Sequence, residues 1–322
     1  MEGLNMVRPK YKIESAIAMR PIFKRMIQQV DFNIDEIKNK LIHEQCHIYM
    51  VCQRPRISID INKTSIDSEK VSLCFKITNN EHIEEIIINV ANNLGVTDIV
   101  SQYPYTDLDL KNKDGEIVSG GKVSFFYNQL LKMNNTYHNS LNLKVLYIGQ
   151  AFGENGERLA SDRLINHSTL QKIYSDTMYN SPNNEIWLIL MEFEPYLISA
   201  GGKGFENNSS LGDAETEEHL FNLLTTRINP DQEITFTEAA LIRYFQPIYN
   251  NEYKTSFPKG THSSYNQCYQ LDVNSVAFEL QTQSDLFTML YSDEIEPSFY
   301  HMKHFPLYSE KERSDMFKEA IK

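Results

Sequence analysis

Cysteine is scarce and scattered: Cys46, Cys52, Cys74 and Cys268 form no C-x-x-C pair and no tight spacing in the 322-residue chain, so a disulfide framework is not expected. They read as buried thiols. No apolar run reaches the roughly 20 residues that a membrane-spanning helix needs, and the opening MEGLNMVRPKYK has no apolar stretch of the kind that directs export. A cytoplasmic protein with no membrane partner is therefore expected. P-loop and dinucleotide-binding signatures are missing as well, which leaves a nucleotide or small-molecule hydrolase without motif support. Positive charge is also in short supply: 31 Lys and Arg face 43 Asp and Glu, for a net charge of -12. That balance weighs against a general nucleic-acid coat protein, which neutralises phosphates along its surface, but not against an enzyme whose cations are focused in one cleft.

What the chain does have is size and a hydrophobic content of 41%, enough for a large core and two or more domains. Its cations are unevenly placed. Residues 1–56 carry ten Lys and Arg against six Asp and Glu, whereas 121–260 carry eleven against sixteen. The basic N-terminal residues Arg8, Lys10, Lys12, Arg20, Lys24 and Arg25 are thus the natural candidates for choosing a substrate.

Apolar spacing predicts helices over ESAIAMR, IFKRMIQQV and IDEIKNKLIHEQ within the first 45 residues, the last capped by Asn33. RISIDIN and KVSLCFKI alternate as half-buried strands do, and DLDLKNKDGEIV carries an Asp-Gly hairpin signal. NEHIEEIIINVANNLG is expected to be an amphipathic helix ending at Gly95. From about residue 121 the expected order is strand KVSFFY, strand LKVLYIG, helix LASDRLINHSTLQKIY, strand EIWLILMEF, then helices DAETEEHLFNLLTTRI and TFTEAALIRYFQPIYN. A strand, SVAFEL, stands out in the C-terminal stretch. The fold class expected is α+β.

Three features stand in order on these elements. Tyr147, Ile148 and Gly149 end a predicted strand, Arg163 and His167 follow at R-x-x-x-H spacing, and Glu238 precedes Asn250 in EAALIRYFQPIYN, with Lys254 in the YKTSFP just beyond. In these motifs the chain resembles the GIY-YIG endonuclease family over about residues 121–258. The resemblance implies a small GIY-YIG-like sheet flanked by helices, with residues 1–120 as an additional N-terminal α+β region and 259–322 as a C-terminal extension. It also implies a metal-dependent nuclease acting on nucleic acid, DNA ahead of RNA.

Phosphodiester hydrolysis must stabilise charge on non-bridging oxygens and on a leaving alkoxide, which suits an arginine and a carboxylate-bound Mg²⁺ or Mn²⁺. On this basis Arg163 holds the phosphate, Glu238 is the metal ligand, and a tyrosine accepts the proton of the attacking water, with His167 completing the catalytic group. Tyr147 is one candidate acceptor. The other is Tyr127, in the FFY that is the nearest upstream candidate for the family's GIY motif. Gly149, Asn250, Lys254 and Arg158 are expected on the substrate side, Arg158 being a second arginine in the loop before Arg163.

Each residue has a plainer role to set against this. Tyr147 suits a core aromatic, Arg163 and His167 a solvated helix face, Asn250 a helix end, and Thr235 with Glu238 makes the T-x-x-E of a capping box. A fold that keeps this shape and binds nucleic acid or protein without cutting is the alternative at the level of function. His262, Cys268, His301 and His304 form a looser set whose spacing fits scattered histidines better than a zinc site.

Overall fold

The computed structural model describes residues 8–79, 82–151, 163–164, 167–258 and 266–321. The chain opens with strand β1 (Ile13–Ile27), helix α1 (Asp35–His43) and strand β2 (Ile48–Ile59). An excursion follows: β3 (Ser65–Ile66), β4 (Lys70–Thr78), β5 (Ile83–Ala91), β6 (Val96–Val100), β7 (Asp107–Asn112), β8 (Ile117–Lys122) and helix α2 (Val123–Met133). The chain then returns through β9 (Leu143–Gln150), α3 (Ser168–Asn180), β10 (Asn184–Gly201), α4 (Asp213–Thr225) and α5 (Pro230–Phe245). It closes with β11 (Ser275–Gln281), β12 (Leu290–Tyr291) and β13 (Tyr300–Pro306).

The fold is α+β, but its main sheet is not small. Ten strands belong to it, seven of them in the order β12-β9-β2-β10-β1-β11-β13, while β6, β7 and β8 form a separate three-stranded sheet. Strands from the N-terminal, middle and C-terminal thirds therefore alternate in one layer, and the boundaries expected at 120 and 258 cut across it. β2 is long enough to serve two neighbourhoods. Its first half lies between β9 and β10, and residues Arg56–Ile59 run on to pair with β4 of the excursion.

Several expected elements come out differently. ESAIAMR and IFKRMIQQV are one strand, β1, paired with β10 over nearly its whole length, so tertiary pairing overrides local helix propensity. Pro21 is tolerated because β11 pairs only Ala16–Met19, leaving Pro21 next to a register shift on a locally open edge. The predicted helix at NEHIEEIIINVANNLG contains strand β5, whose β-branched Ile83, Ile86, Ile87 and Ile88 suit the pairing with β4. KVSFFY starts helix α2: Val123, Tyr127 and Leu131 recur every four residues and are buried together, a period that six residues are too few to reveal. β9 and β10 share the sheet but are not neighbours, because β2 lies between them. The Asp-Gly hairpin is present as β7–β8, with Gly115 at φ 81°.

Both faces of the sheet are covered. On one, α5 packs Phe236, Ala239, Ala240 and Phe245 against Ile48, Met50, Ile148 and Trp187. On the other, Leu164, Leu170 and Ile173 cover Tyr49, Val51, Leu146 and Leu188. Leu159 and Ile165, in the helix predicted over LASDRLINHSTLQKIY, lie outside the described residues.

Among the buried charged groups is an arginine within the sheet. Arg54, fully buried, donates from Nε to Glu185 at 2.9 Å while its guanidinium lies over the Trp187 ring at 4.7 Å, and Trp187 Nε1 donates to the same carboxylate oxygen at 2.7 Å. Removing only the acid would leave an uncompensated cation in the core. Glu185→Ala is expected to lower stability by about 3–5 kcal/mol, and Arg54→Met together with Glu185→Leu to restore most of that loss. Urea unfolding of both variants beside the native chain measures the difference.

Candidate active site

β9 delivers the Tyr-Ile-Gly stretch to its C-terminal end, and its register against β2 determines what faces it. Gly149 stands opposite Tyr49, and Tyr147 opposite Val51, with a bulge just beyond. Tyr49, fully buried, lies on the same face as Tyr147, their ring centroids 6.1 Å apart. A Cβ on Gly149 would meet the Tyr49 Cζ and hydroxyl at 2.5 Å and Tyr147 Cε1 at 2.8 Å. Glycine is required here by the close approach of a side chain.

His167 is the N-cap of α3, its Nδ1 accepting the Leu170 backbone N–H at 3.2 Å. An Nδ1 that accepts leaves the proton of a neutral imidazole on Nε2, so Nε2 donates to the Tyr49 hydroxyl, 3.0 Å away. The ring also lies 5.4 Å from that of Tyr147. The expected continuous helix over 159–174 is thus replaced, at its described end, by a helix beginning at Ser168. His167 caps this helix and does not lie on the side of a longer one.

Glu238 arrives from the opposite face on α5. That helix starts at Pro230 with Asn229 as its N-cap, so Thr235 and Glu238 are interior and form no capping box. Burial pushes the Glu238 carboxyl up to about 7, opposed by the charge of Arg163 and reinforced by Glu252. The Gln150 backbone, at the end of β9, hydrogen-bonds to it. Burial also raises Tyr49 and Tyr147; at each, Glu238 adds to the rise and Arg163 opposes it. These four groups therefore sense one another's charge. The interaction between the two tyrosines raises Tyr49 and lowers Tyr147, which favours ionisation of Tyr147 over that of Tyr49.

The chain beyond α5 anchors the strand. Gln246 turns it in a left-handed conformation at φ 52°, and Asn250, buried, grips Ile148 on both sides: its Oδ1 accepts the Ile148 N–H at 2.9 Å and its Nδ2 donates to the Ile148 carbonyl at 2.8 Å. Its amide is thus taken up in positioning the strand and does not face a substrate. Lys254 is half-buried, and its carbonyl receives hydrogen bonds from Arg243 and Gln246.

The chain matches no family model, and no curated protein or solved structure matches it.

The remaining expected residues separate from this group. Tyr127 is buried in the core of the excursion, 5.1 Å from the Phe75 ring, and belongs to a different cluster from Tyr147. Arg158 lies outside the described residues. The basic N-terminal residues are largely neutralised in place: Lys12 pairs with Asp213 at 2.7 Å, Arg20 with Glu194 at 2.7 Å and Lys24 with Asp285 at 2.9 Å, while Lys10 contacts Asp272 and Arg25 contacts Glu44. The loose histidine set does not gather either. Cys268 is in the main core, His301 hydrogen-bonds to Tyr244 and to the Ser298 carbonyl, His304 pairs with Asp315, and His262 is outside the described residues.

Tyr49, Gln150 and Glu252 were not anticipated. Tyr49 lies far before Tyr147 in the sequence, and that distance concealed the pairing of their strands.

The donors fit a hard cation. Glu238 offers a carboxylate, and the Gln150 Oε1 is a buried oxygen with no hydrogen-bond partner among the described residues. No three His, Cys, Asp or Glu side chains gather into a metal-holding group among the described residues; Mg²⁺ manages with one or two carboxylates and its own waters.

A carboxyl raised by folding binds its proton more tightly in the native state, so it costs stability as pH climbs from the unfolded value of 4.5 through about 7, and the whole cost is present above that. Glu238→Gln is therefore expected to stabilise the metal-free protein at pH 8, by at most about 2–3 kcal/mol, and to leave it unchanged near pH 4. Denaturant unfolding at the two pH values checks both halves.

Proposed function

We propose that this protein is a metal-dependent endonuclease of GIY-YIG type that hydrolyses phosphodiester bonds of nucleic acid, with DNA the first substrate to test. The observation that carries the proposal is the meeting of Tyr49 and Tyr147 on neighbouring strands beside His167, within the electrostatic reach of Arg163 and Glu238. The resemblance asks for a tyrosine on a strand paired with the Tyr-Ile-Gly strand, and Tyr49 stands there in place of Tyr127.

The geometry supports a division of labour. Arg163 carries the positive charge that a phosphate's non-bridging oxygens require, and its guanidinium suits a bidentate contact. Glu238, with Gln150 beside it, would hold Mg²⁺ or Mn²⁺, which supplies charge stabilisation for the leaving oxygen when bound. His167 donates to Tyr49. Burial and Glu238 oppose an ionised Tyr147 in the metal-free protein while Arg163 and Tyr49 favour it, and a cation held at Glu238 would remove the Glu238 contribution. Tyr147 would then be the proton acceptor for water, with Tyr49 and His167 as positioning residues. Gly149 leaves room for the Tyr49 ring.

Incubating the full chain with single- and double-stranded DNA and RNA plus Mg²⁺ or Mn²⁺ should yield cleavage that EDTA abolishes. Arg163→Ala and Glu238→Ala should each cut less by about a hundredfold or more while remaining folded. Tyr147→Phe should lose more than Tyr49→Phe, whose rate profile should move to higher pH because the Tyr147 anion loses a donor, and Tyr127→Phe should cut normally. Cleavage that persists in EDTA, or a fully active Glu238→Ala protein, would end the proposal.

A further inference from the structure

A cavity opens where α4, α5 and the paired strands β1 and β10 meet. Its volume is about 210 Å³, and Ile17, Leu197, Leu223, Ile228 and Leu271 give it an apolar wall. For scale, a cavity of about 150 Å³ is enough to hold benzene. One acid lines it. Glu233, only 9% exposed, presents a carboxyl that takes no hydrogen bond or ion pair among the described residues. Desolvation raises its pKa, and Arg227, exposed at the rim, opposes the rise without reaching ion-pair distance.

The Glu233 side chain is buried, but its oxygens open into the cavity where no donor of the described residues meets them, so a ligand that carries donors would find a charged acceptor there. The first turn of a helix favours a negative charge, which offsets part of the cost of desolvation but supplies no bond to the side chain. The site is separate from the one built around Glu238. Five residues along a helix are about 7.5 Å of rise and about 140° of net rotation, so Glu233 and Glu238 leave α5 on different sides.

We propose that this cavity binds a small primary ammonium compound with an apolar body of about six to eight heavy atoms, its ammonium group donating to Glu233 and its chain lying against Leu197, Leu223 and Leu271. The charge-assisted hydrogen bond supplies specificity, and the apolar wall supplies most of the contact area. The amine pocket stands whether or not the chain cuts nucleic acid, since none of the residues around Glu238 takes part in it.

Isothermal titration of the full chain with hexylammonium, hexanol and hexanoate tests the proposal. Hexylammonium should bind saturably, hexanol more weakly, and hexanoate not at all. Glu233→Gln, nearly the same in shape, should weaken hexylammonium by about tenfold or more without changing the far-ultraviolet spectrum. Leu223→Trp, which fills the cavity from its half-buried side, should remove binding of both hexylammonium and hexanol. Absence of saturable hexylammonium binding, equal binding to Glu233→Gln, or equal binding of hexanoate would overturn the ammonium site. A lysine blocked at both ends that binds more tightly than hexylammonium would overturn the small-molecule assignment in favour of a lysine on a polypeptide.

Discussion

The pairing of β2 with β9 is the contact on which the candidate site depends. It places Tyr49 across from Gly149, and only the absent side chain of that glycine lets the Tyr49 ring stand beside Tyr147. A slip of one residue would turn Tyr49 to the face covered by α5, away from Tyr147 and His167. The register is held on both sides. β10 pairs with β2 over Ile48–Pro55, and the apolar residues of β2 alternate between the two cores.

Around that pair, the other groups are brought in by elements that would fold for reasons of their own. α5 is kept in place by Phe236, Ala239, Ala240 and Phe245, and Glu238 comes with it. α3 is kept by Leu170 and Ile173, and its N-cap is His167. Asn250 then fastens the end of the α5 segment to Ile148. Burial of the Glu238 carboxylate opposes stability at neutral pH because desolvation disfavours its charged form, whereas the two tyrosines are buried as neutral phenols. Arg163 offsets part of that cost, and a bound cation would offset more. Such a cluster is characteristic of a functional site.

Much of the fold was legible in the sequence where the pattern was local. LKVLYIG, EIWLILMEF, RISIDIN and the Asp-Gly hairpin declared themselves through alternation and turn chemistry, and DAETEEHLFNLLTTRI through its acidic start. What failed was set by distant partners. ESAIAMR became a strand because β10 and β11 flank it, and β5 became one because β4 lies alongside. For the site, Tyr147, His167, Arg163 and Glu238 were legible from motif order, whereas Tyr49 was not, because the excursion over residues 60–142 separates it from its partner strand. Tyr127 was chosen by proximity along the chain and belongs to the core of that excursion. The N-terminal cations looked available on charge count alone, but most find acids elsewhere in the fold, and a count cannot see those pairings.

On the proposed function, two strands far apart in sequence and helical segments from both faces of the sheet build a single cation and phosphate site. Anomalous diffraction from crystals soaked in Mn²⁺ tests it most directly. The account predicts a Mn²⁺ peak bound to the Glu238 carboxylate, with Arg163 and the paired Tyr49 and Tyr147 facing it. A Glu238 carboxylate that stays free of Mn²⁺, or Mn²⁺ bound with Arg163 turned to the other side of the domain, would contradict it.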